Sequence, residues 1–123
     1  MKKRDTRQRR AIRQVFLDAA RPLTPEEVLE RGQGEVPSLG LATVYRNVKI
    51  LTEEGWLTEV ALPQDGMRYE LASRPHHHHF VCRTCDQAFD IHQCPPSVEE
   101  IAPAGFRVDD HEVILYGSCP ACA

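Results

Sequence analysis

Two Cys-x-x-Cys pairs, Cys82-Arg83-Thr84-Cys85 and Cys119-Pro120-Ala121-Cys122, stand 33 residues apart in this 123-residue chain. Two residues between cysteines let both thiolates of a knuckle reach one ion, and two knuckles complete a tetrahedral four-thiolate site. A disulfide framework belongs to oxidising compartments, and a redox Cys-x-x-Cys normally occurs singly before a helix. A module of about 50 residues also buries too little apolar surface to fold unaided. The spacing therefore points to structural zinc on Cys82, Cys85, Cys119 and Cys122.

Charge divides the chain in the same place. Residues 1–62 carry 11 Lys/Arg and 9 Asp/Glu, whereas residues 63–123 carry 4 and 9. All six histidines and all five cysteines fall in the second half, and residues 2–13 hold seven basic side chains against the single acid Asp5. A basic, sulfur-free front on an acidic back rich in Cys and His implies two modules with different tasks. No apolar run reaches the roughly 20 residues of a membrane span, and the N-terminus lacks the apolar core of a secretory signal. The expectation is a soluble, cytoplasmic protein without membrane association.

The front module reads as three helices and a hairpin. Ile12, Val15, Phe16 and Ala19 recur at intervals of three and four in a helix starting near Thr6. Thr24-Pro25-Glu26-Glu27 is a capping box that starts a second helix ending near Gly32. In a third helix, from residue 41 to just before Gly55, Leu41, Val44, Val48 and Leu51 form an apolar stripe. Thr43, Tyr45, Arg46 and Asn47 are expected on an exposed face of it. Residues 56–62 and 67–71 alternate as strands around a tight turn at 63–66. This is a winged helix-turn-helix, whose third helix enters a DNA major groove while the basic edge meets phosphates. A three-helix scaffold with a solvated basic face would share the pattern, and composition alone does not separate the two.

In the back module, His76-His77-His78-His79 precedes the first knuckle. If residues 78–82 form a strand, His77 and His79 share one face and His76 and His78 the other. Two same-face imidazoles suit zinc, iron, manganese or nickel, and Glu70 and Asp90 are carboxylates within sequence reach. His92, Cys94 and His111 are further candidates, each also readable as a surface polar residue. Short strands are expected at 80–82 and 88–91, a turn or two of helix at 97–101, and a longer strand at 107–116.

From Arg4 to Cys122 the chain resembles the ferric uptake regulator (Fur) family of metal-responsive transcriptional repressors. Five elements carry the resemblance: Arg4-Asp5-Thr6-Arg7-Gln8-Arg9, Leu41-Ala42-Thr43-Val44-Tyr45-Arg46, Arg68-Tyr69-Glu70, the run from His77 to Cys85, and the closing Tyr116-Gly117-x-Cys119-x-x-Cys122. The resemblance implies an α+β protein with an N-terminal winged helix-turn-helix (1–72), a hinge (73–76) and a small α/β dimerisation domain (77–123) holding the zinc. It implies a homodimer on double-stranded DNA, with an A/T-rich inverted repeat as operator. Arg4, Arg9, Thr43, Tyr45 and Arg46 match DNA-contacting positions. Glu70, His77, His79 and Asp90 match a regulatory hinge site, while His76 and His111 match an additional site of some members; Cys94, the leftover thiol shortly after Asp90, is a further candidate ligand or a surface cysteine.

Two departures bear on the effector. Many iron and peroxide sensors carry a histidine beside the second helix, where this chain has Arg21-Pro22-Leu23-Thr24. Familiar zinc sensors often supply a cysteine near the wing end, where this chain has Glu70-Leu71. The richness in Cys and His favours zinc over Fe²⁺ or Mn²⁺ as the regulatory metal, so the expected function is zinc-responsive control of metal uptake genes. An iron-, manganese- or peroxide-responsive repressor of the same family is the alternative. A zinc-dependent hydrolase is a distant one, since no HExxH helix, nucleophile elbow or phosphate-cradling glycine loop is present.

Overall fold

A computed structural model of the chain describes residues 2–62 and 66–123, with side chains from Arg7 onward. The turn at 63–65 and the Arg4 side chain lie outside the described residues. Two compact units result, residues 1–74 and 75–123. Among the described residues no helix is long and apolar enough to cross a membrane.

The first unit consists of α1 (Lys2–Ala19), α2 (Pro25–Gly32), α3 (Leu41–Glu53), β1 (Leu57–Ala61) and β2 (Met67–Leu71). The helix beginning expected near Thr6 lies at Lys2. The capping box forms as the sequence demands: Glu27 N–H donates to Thr24 Oγ1 (3.1 Å) and Thr24 N–H to Glu27 Oε1 (2.8 Å). Gly55 ends α3 with a left-handed φ of +83°. Around it Trp56 N–H reaches Leu51 O (2.9 Å) and Gly55 N–H reaches Thr52 O (3.1 Å), the paired bonds of a Schellman stop.

The apolar stripes meet in one core, with Ile12, Phe16, Leu23, Val28, Val44, Val48, Leu51 and Leu57 buried. At about 1.5–3 kcal/mol for each such side chain, this burial stabilises the unit without help from a metal. Leu41 departs from the expected stripe: at the first turn of α3 it is 36% exposed, beyond the reach of the core. β1 and β2 pair antiparallel from Leu57↔Leu71 to Ala61↔Met67. A reciprocal pair of 2.9 Å bonds between Leu23 and Tyr69 pins this wing to the segment before α2.

The second unit holds a three-stranded sheet ordered β4-β3-β5: β3 (His78–Cys82), β4 (Ala88–Ile91) and β5 (Ile114–Gly117). β4 runs antiparallel to β3 and β5 parallel to it. A single 3₁₀ turn occupies Val98–Ile101. The long strand expected at 107–116 is not formed, and only its end is β5. Pairing begins at His79↔Ile114, because β3 itself begins at His78 and offers residues before 113 no partner strand. Arg107 and Asp109 instead pair locally at 3.1 Å. Buried apolar side chains here are few among the described residues, namely Val81, Ala88 and the thiol-bearing Cys82 and Cys119.

Candidate metal centres and nucleic-acid surface

The four knuckle cysteines converge. Their sulfurs all lie within 4.8 Å of one another, with Cys85 Sγ 3.9 Å from Cys119 Sγ. Zinc–sulfur bonds of about 2.3 Å place tetrahedral sulfurs about 3.8 Å apart, so the set fits zinc. The backbone builds each knuckle: Arg83 N–H bonds Gly117 O (2.8 Å), Asp86 N–H bonds Cys82 O (2.8 Å) and Cys122 N–H bonds Cys119 O (2.9 Å). Asp86 takes a left-handed φ of +62°, which an Asx side chain tolerates. Buried Cys82 accepts amide N–H bonds from Cys85 and Cys119 at 3.5 and 3.4 Å, which hold its thiol down to about 6. The crowd of sulfurs, Cys119 foremost, pushes Cys122 up to about 12. Such a mutually repelling set calls for a cation.

A second set lies on one face of β3 and β4. Asp90 is the cross-strand partner of His79, and His77 precedes His79 by two residues, so all three project to the same side. Their ligand atoms lie within 4.8 Å of one another, and His77 Nε2 is 3.8 Å from Asp90 Oδ1. His77 Nδ1 sits 2.7 Å from Pro75 O, which can only accept, so Nδ1 carries the ring proton and Nε2 presents its lone pair to the cluster. A backbone carbonyl fixing the tautomer is the usual support of a metal-bound imidazole. His92 packs beside His77, ring centroids 6.4 Å apart. In the first unit, Glu70 is buried on β2 opposite Thr58.

The other face of β3 carries a third set. Ligand atoms of His76, His78, Cys94 and His111 lie within 4.8 Å of one another. His76 and His78 share that face because alternate strand residues do, which was legible in the histidine run. Cys94 and His111 come from irregular segments, so strand parity does not place them; the family resemblance is what set His111 beside His76 and made Cys94 a candidate ligand.

On the first unit, Tyr45, Arg46, Lys49, Thr52, Glu59 and Tyr69 line a cleft of about 560 Å³ between α3 and the wing. Tyr45 is 47% exposed, and its hydroxyl donates to Glu26 Oε2 at 3.4 Å; the Glu26 carboxylate raises its pKa. Arg46 donates to Thr43 Oγ1 at 3.1 Å, leaving other guanidinium N–H groups for a ligand. Asn47 is not on the exposed face as expected. It is buried, accepting from Arg9 Nε (3.1 Å) and donating to Thr43 O (2.9 Å). Arg9 thus braces α1 against α3, a role its place in a basic run did not reveal.

The profile described as "Ferric uptake regulator family" matches residues 1–116. The "Ferric uptake regulation protein" of Campylobacter jejuni is 32% identical over 124 aligned positions, covering 95% of this chain and 78% of that one. The "Peroxide operon regulator" of Bacillus subtilis is 27% identical, covering 98% and 84% respectively. A solved structure described as "zinc-bound manganese uptake regulator" superposes with a TM-score of 0.80 at 28% identity, over 91% of this chain and 87% of that one. With a family profile matched over residues 1–116 and a relative 32% identical across most of both chains, the chain belongs to the ferric uptake regulator family, and is thus a transcriptional regulator rather than an enzyme.

Proposed function

We propose that the chain is a zinc-responsive repressor that acts in the cytoplasm as a homodimer and closes metal uptake genes by binding an A/T-rich inverted repeat. The observation that carries this reading is the convergence of His77, His79 and Asp90 on one face, with His77 Nε2 held ready for a cation. In this proposal Glu70 adds the fourth donor from the wing strand, five residues before Pro75 opens the second unit. A cation held by donors of both units favours one arrangement of the two. The same arrangement then binds metal and operator better, by a coupling of about 1–3 kcal/mol, or roughly 5- to 150-fold.

Tyr45, Arg46 and Thr43 are the groups proposed to address the operator, with Arg4 and Arg9 towards the backbone and minor groove. The zinc preference is supported by the wealth of Cys and His and by the lack of a histidine at residues 21–24. A manganese- or iron-responsive reading has its own support, because Glu70, His77, His79 and Asp90 supply only oxygen and imidazole donors. Fluorescence anisotropy on promoter DNA, with the structural zinc in place and free Zn²⁺, Mn²⁺ and Fe²⁺ buffered separately, separates the two. Zinc alone switching binding on upholds the proposal. Manganese or iron alone doing so moves the effector to that class, and binding indifferent to all three refutes the switch.

A further inference from the structure

The surface proposed to meet the operator is not the most basic part of the first unit. Residues 2–13 carry seven Lys/Arg against Asp5 alone. Among the described residues, the cleft between α3 and the wing is lined by two cations, Arg46 and Lys49, and by two carboxylates, Glu53 and Glu59, which cancel in formal charge. A third carboxylate, Glu26, reaches the cleft through Tyr45, whose hydroxyl donates to its Oε2 at 3.4 Å.

Two of these carboxylates face phenols that line the cleft. In the first turn of α2, Glu27 serves the capping box and an ion pair with Arg21 at 3.5 Å, whereas Glu26 turns to Tyr45 on α3. Glu59 on β1 is the cross-strand partner of Tyr69 on β2, so both project from the face that lines the cleft. The negative charge is felt at both rings. The Glu26 carboxylate raises the Tyr45 pKa, and burial followed by Glu59 raises that of Tyr69. Glu26, Tyr45 and Glu59 are exposed, so these groups meet whatever lies against α3.

Binding to arbitrary DNA is almost wholly phosphate attraction and counterion release. Cations already balanced by neighbouring carboxylates release few ions, and a carboxylate about 6 Å from a phosphate lowers affinity roughly threefold at the dielectric of water. Base edges, in contrast, are read by directional bonds that hold the phosphates of a correct site in one register. A repulsive group that only the right partner can accommodate is a general source of specificity.

We infer that Glu26 and Glu59 are specificity-determining residues of the operator surface, repelling the phosphates of arbitrary sequences, while Glu26 also positions the Tyr45 ring. The inference rests on the reading of α3 as the operator-facing helix, and is independent of which cation fills the hinge. Attraction to DNA then falls chiefly to α1, and discrimination to the cleft.

The test uses the full chain, in excess Zn²⁺, Mn²⁺ and Fe²⁺ in turn, and the anisotropy of two labelled duplexes at low salt. One carries an A/T-rich inverted repeat from the promoter of the protein's own gene, and the other has the same bases shuffled. The native protein should prefer the repeat. Glu26→Gln and Glu59→Gln should each bind the shuffled duplex about threefold more tightly and with a steeper salt dependence, whereas the repeat gains less or loses. Glu99→Gln makes the same charge change at an exposed site of the second unit and should alter neither duplex. Glu26→Asp keeps the charge at the α2 terminus but falls short of Tyr45, so it should weaken the repeat and leave the shuffled duplex unchanged. In a Tyr45→Phe background, Glu26→Gln should act on both duplexes alike, because the hydroxyl it positions is gone. Unfolding followed by Trp56 fluorescence checks that each variant keeps the first unit folded. Equal gains on both duplexes, or no gain on the shuffled one, overturn the inference while the native preference upholds the operator surface. A native chain that prefers neither duplex overturns that surface, and the inference with it.

Discussion

Replacing Cys82 by serine should unfold the second unit and leave the first standing. Cys82 is fully buried, and its sulfur accepts two amide N–H bonds while belonging to the four-thiolate set. Burying Val81 and Ala88 contributes only about 2–4 kcal/mol, whereas a four-ligand zinc contributes about 10–16 kcal/mol of apparent binding free energy near neutral pH. An even share for each thiolate is about 2.5–4 kcal/mol, so losing one weakens zinc by about 10²- to 10³-fold. That loss exceeds what the apolar contacts of residues 75–123 can offset.

The chain allows the two units to be read separately. Its single tryptophan, Trp56, lies in the first unit, edge-on to Phe16 at 6.5 Å and under the Arg13 guanidinium at 5.4 Å. Urea unfolding followed by Trp56 fluorescence reports that unit, while reactivity towards a thiol reagent reports the second. With structural zinc alone, the native protein should react quickly at one thiol, Cys94. Cys82→Ser should expose its four remaining thiols with the Trp56 midpoint moved by less than about 0.5 kcal/mol, the range of distant substitutions. A Trp56 midpoint that falls along with thiol protection would refute the reasoning, as would protected thiols in the variant.

Further predictions concern the first unit and its DNA. Thr24→Ala removes the capping box at α2 and should lower the Trp56-monitored stability by about 1 kcal/mol without changing metal content. Asn47→Ala breaks the link from Arg9 to α3 and should destabilise the same unit by about 2–3 kcal/mol, part of it from a charge-assisted bond; an effect below 0.5 kcal/mol in urea titration would show the link to be idle. Arg46→Ala should weaken operator binding by about 1–3 kcal/mol and leave both zinc stoichiometry and Trp56 stability unchanged, with anisotropy and metal analysis as readouts. Operator affinity should also fall steeply with salt, and a flat salt dependence would contradict phosphate contact by the basic edge.

Much of this was legible in the residues because the signals were local. Thr24 and Glu27 satisfy each other across three residues, and a Cys-x-x-Cys closes around one ion whatever the surroundings. The histidine run likewise divides by parity once β3 is a strand. The misreadings arose where a distant partner decides. Asn47 follows Arg46 on a helix face that looked exposed, and Arg9, on another helix, covers it. Residues 107–113 have strand-like residues towards their end, but among the described residues no neighbouring strand pairs with them. His78 could be assigned a face from its position, yet the amide that bonds its Nδ1 belongs to Val113, 35 residues away.

The central claim is that one cation joins donors of the two units to operator affinity, and Glu70→Gln tests it most directly. Operator affinity of the native and variant proteins would be measured by anisotropy with and without buffered zinc, with Trp56 unfolding confirming that the first unit is intact. The native chain should gain about 5- to 150-fold on adding zinc. The variant should keep the metal-free affinity and lose most of that gain. A variant that responds to zinc as fully as the native chain would contradict the account.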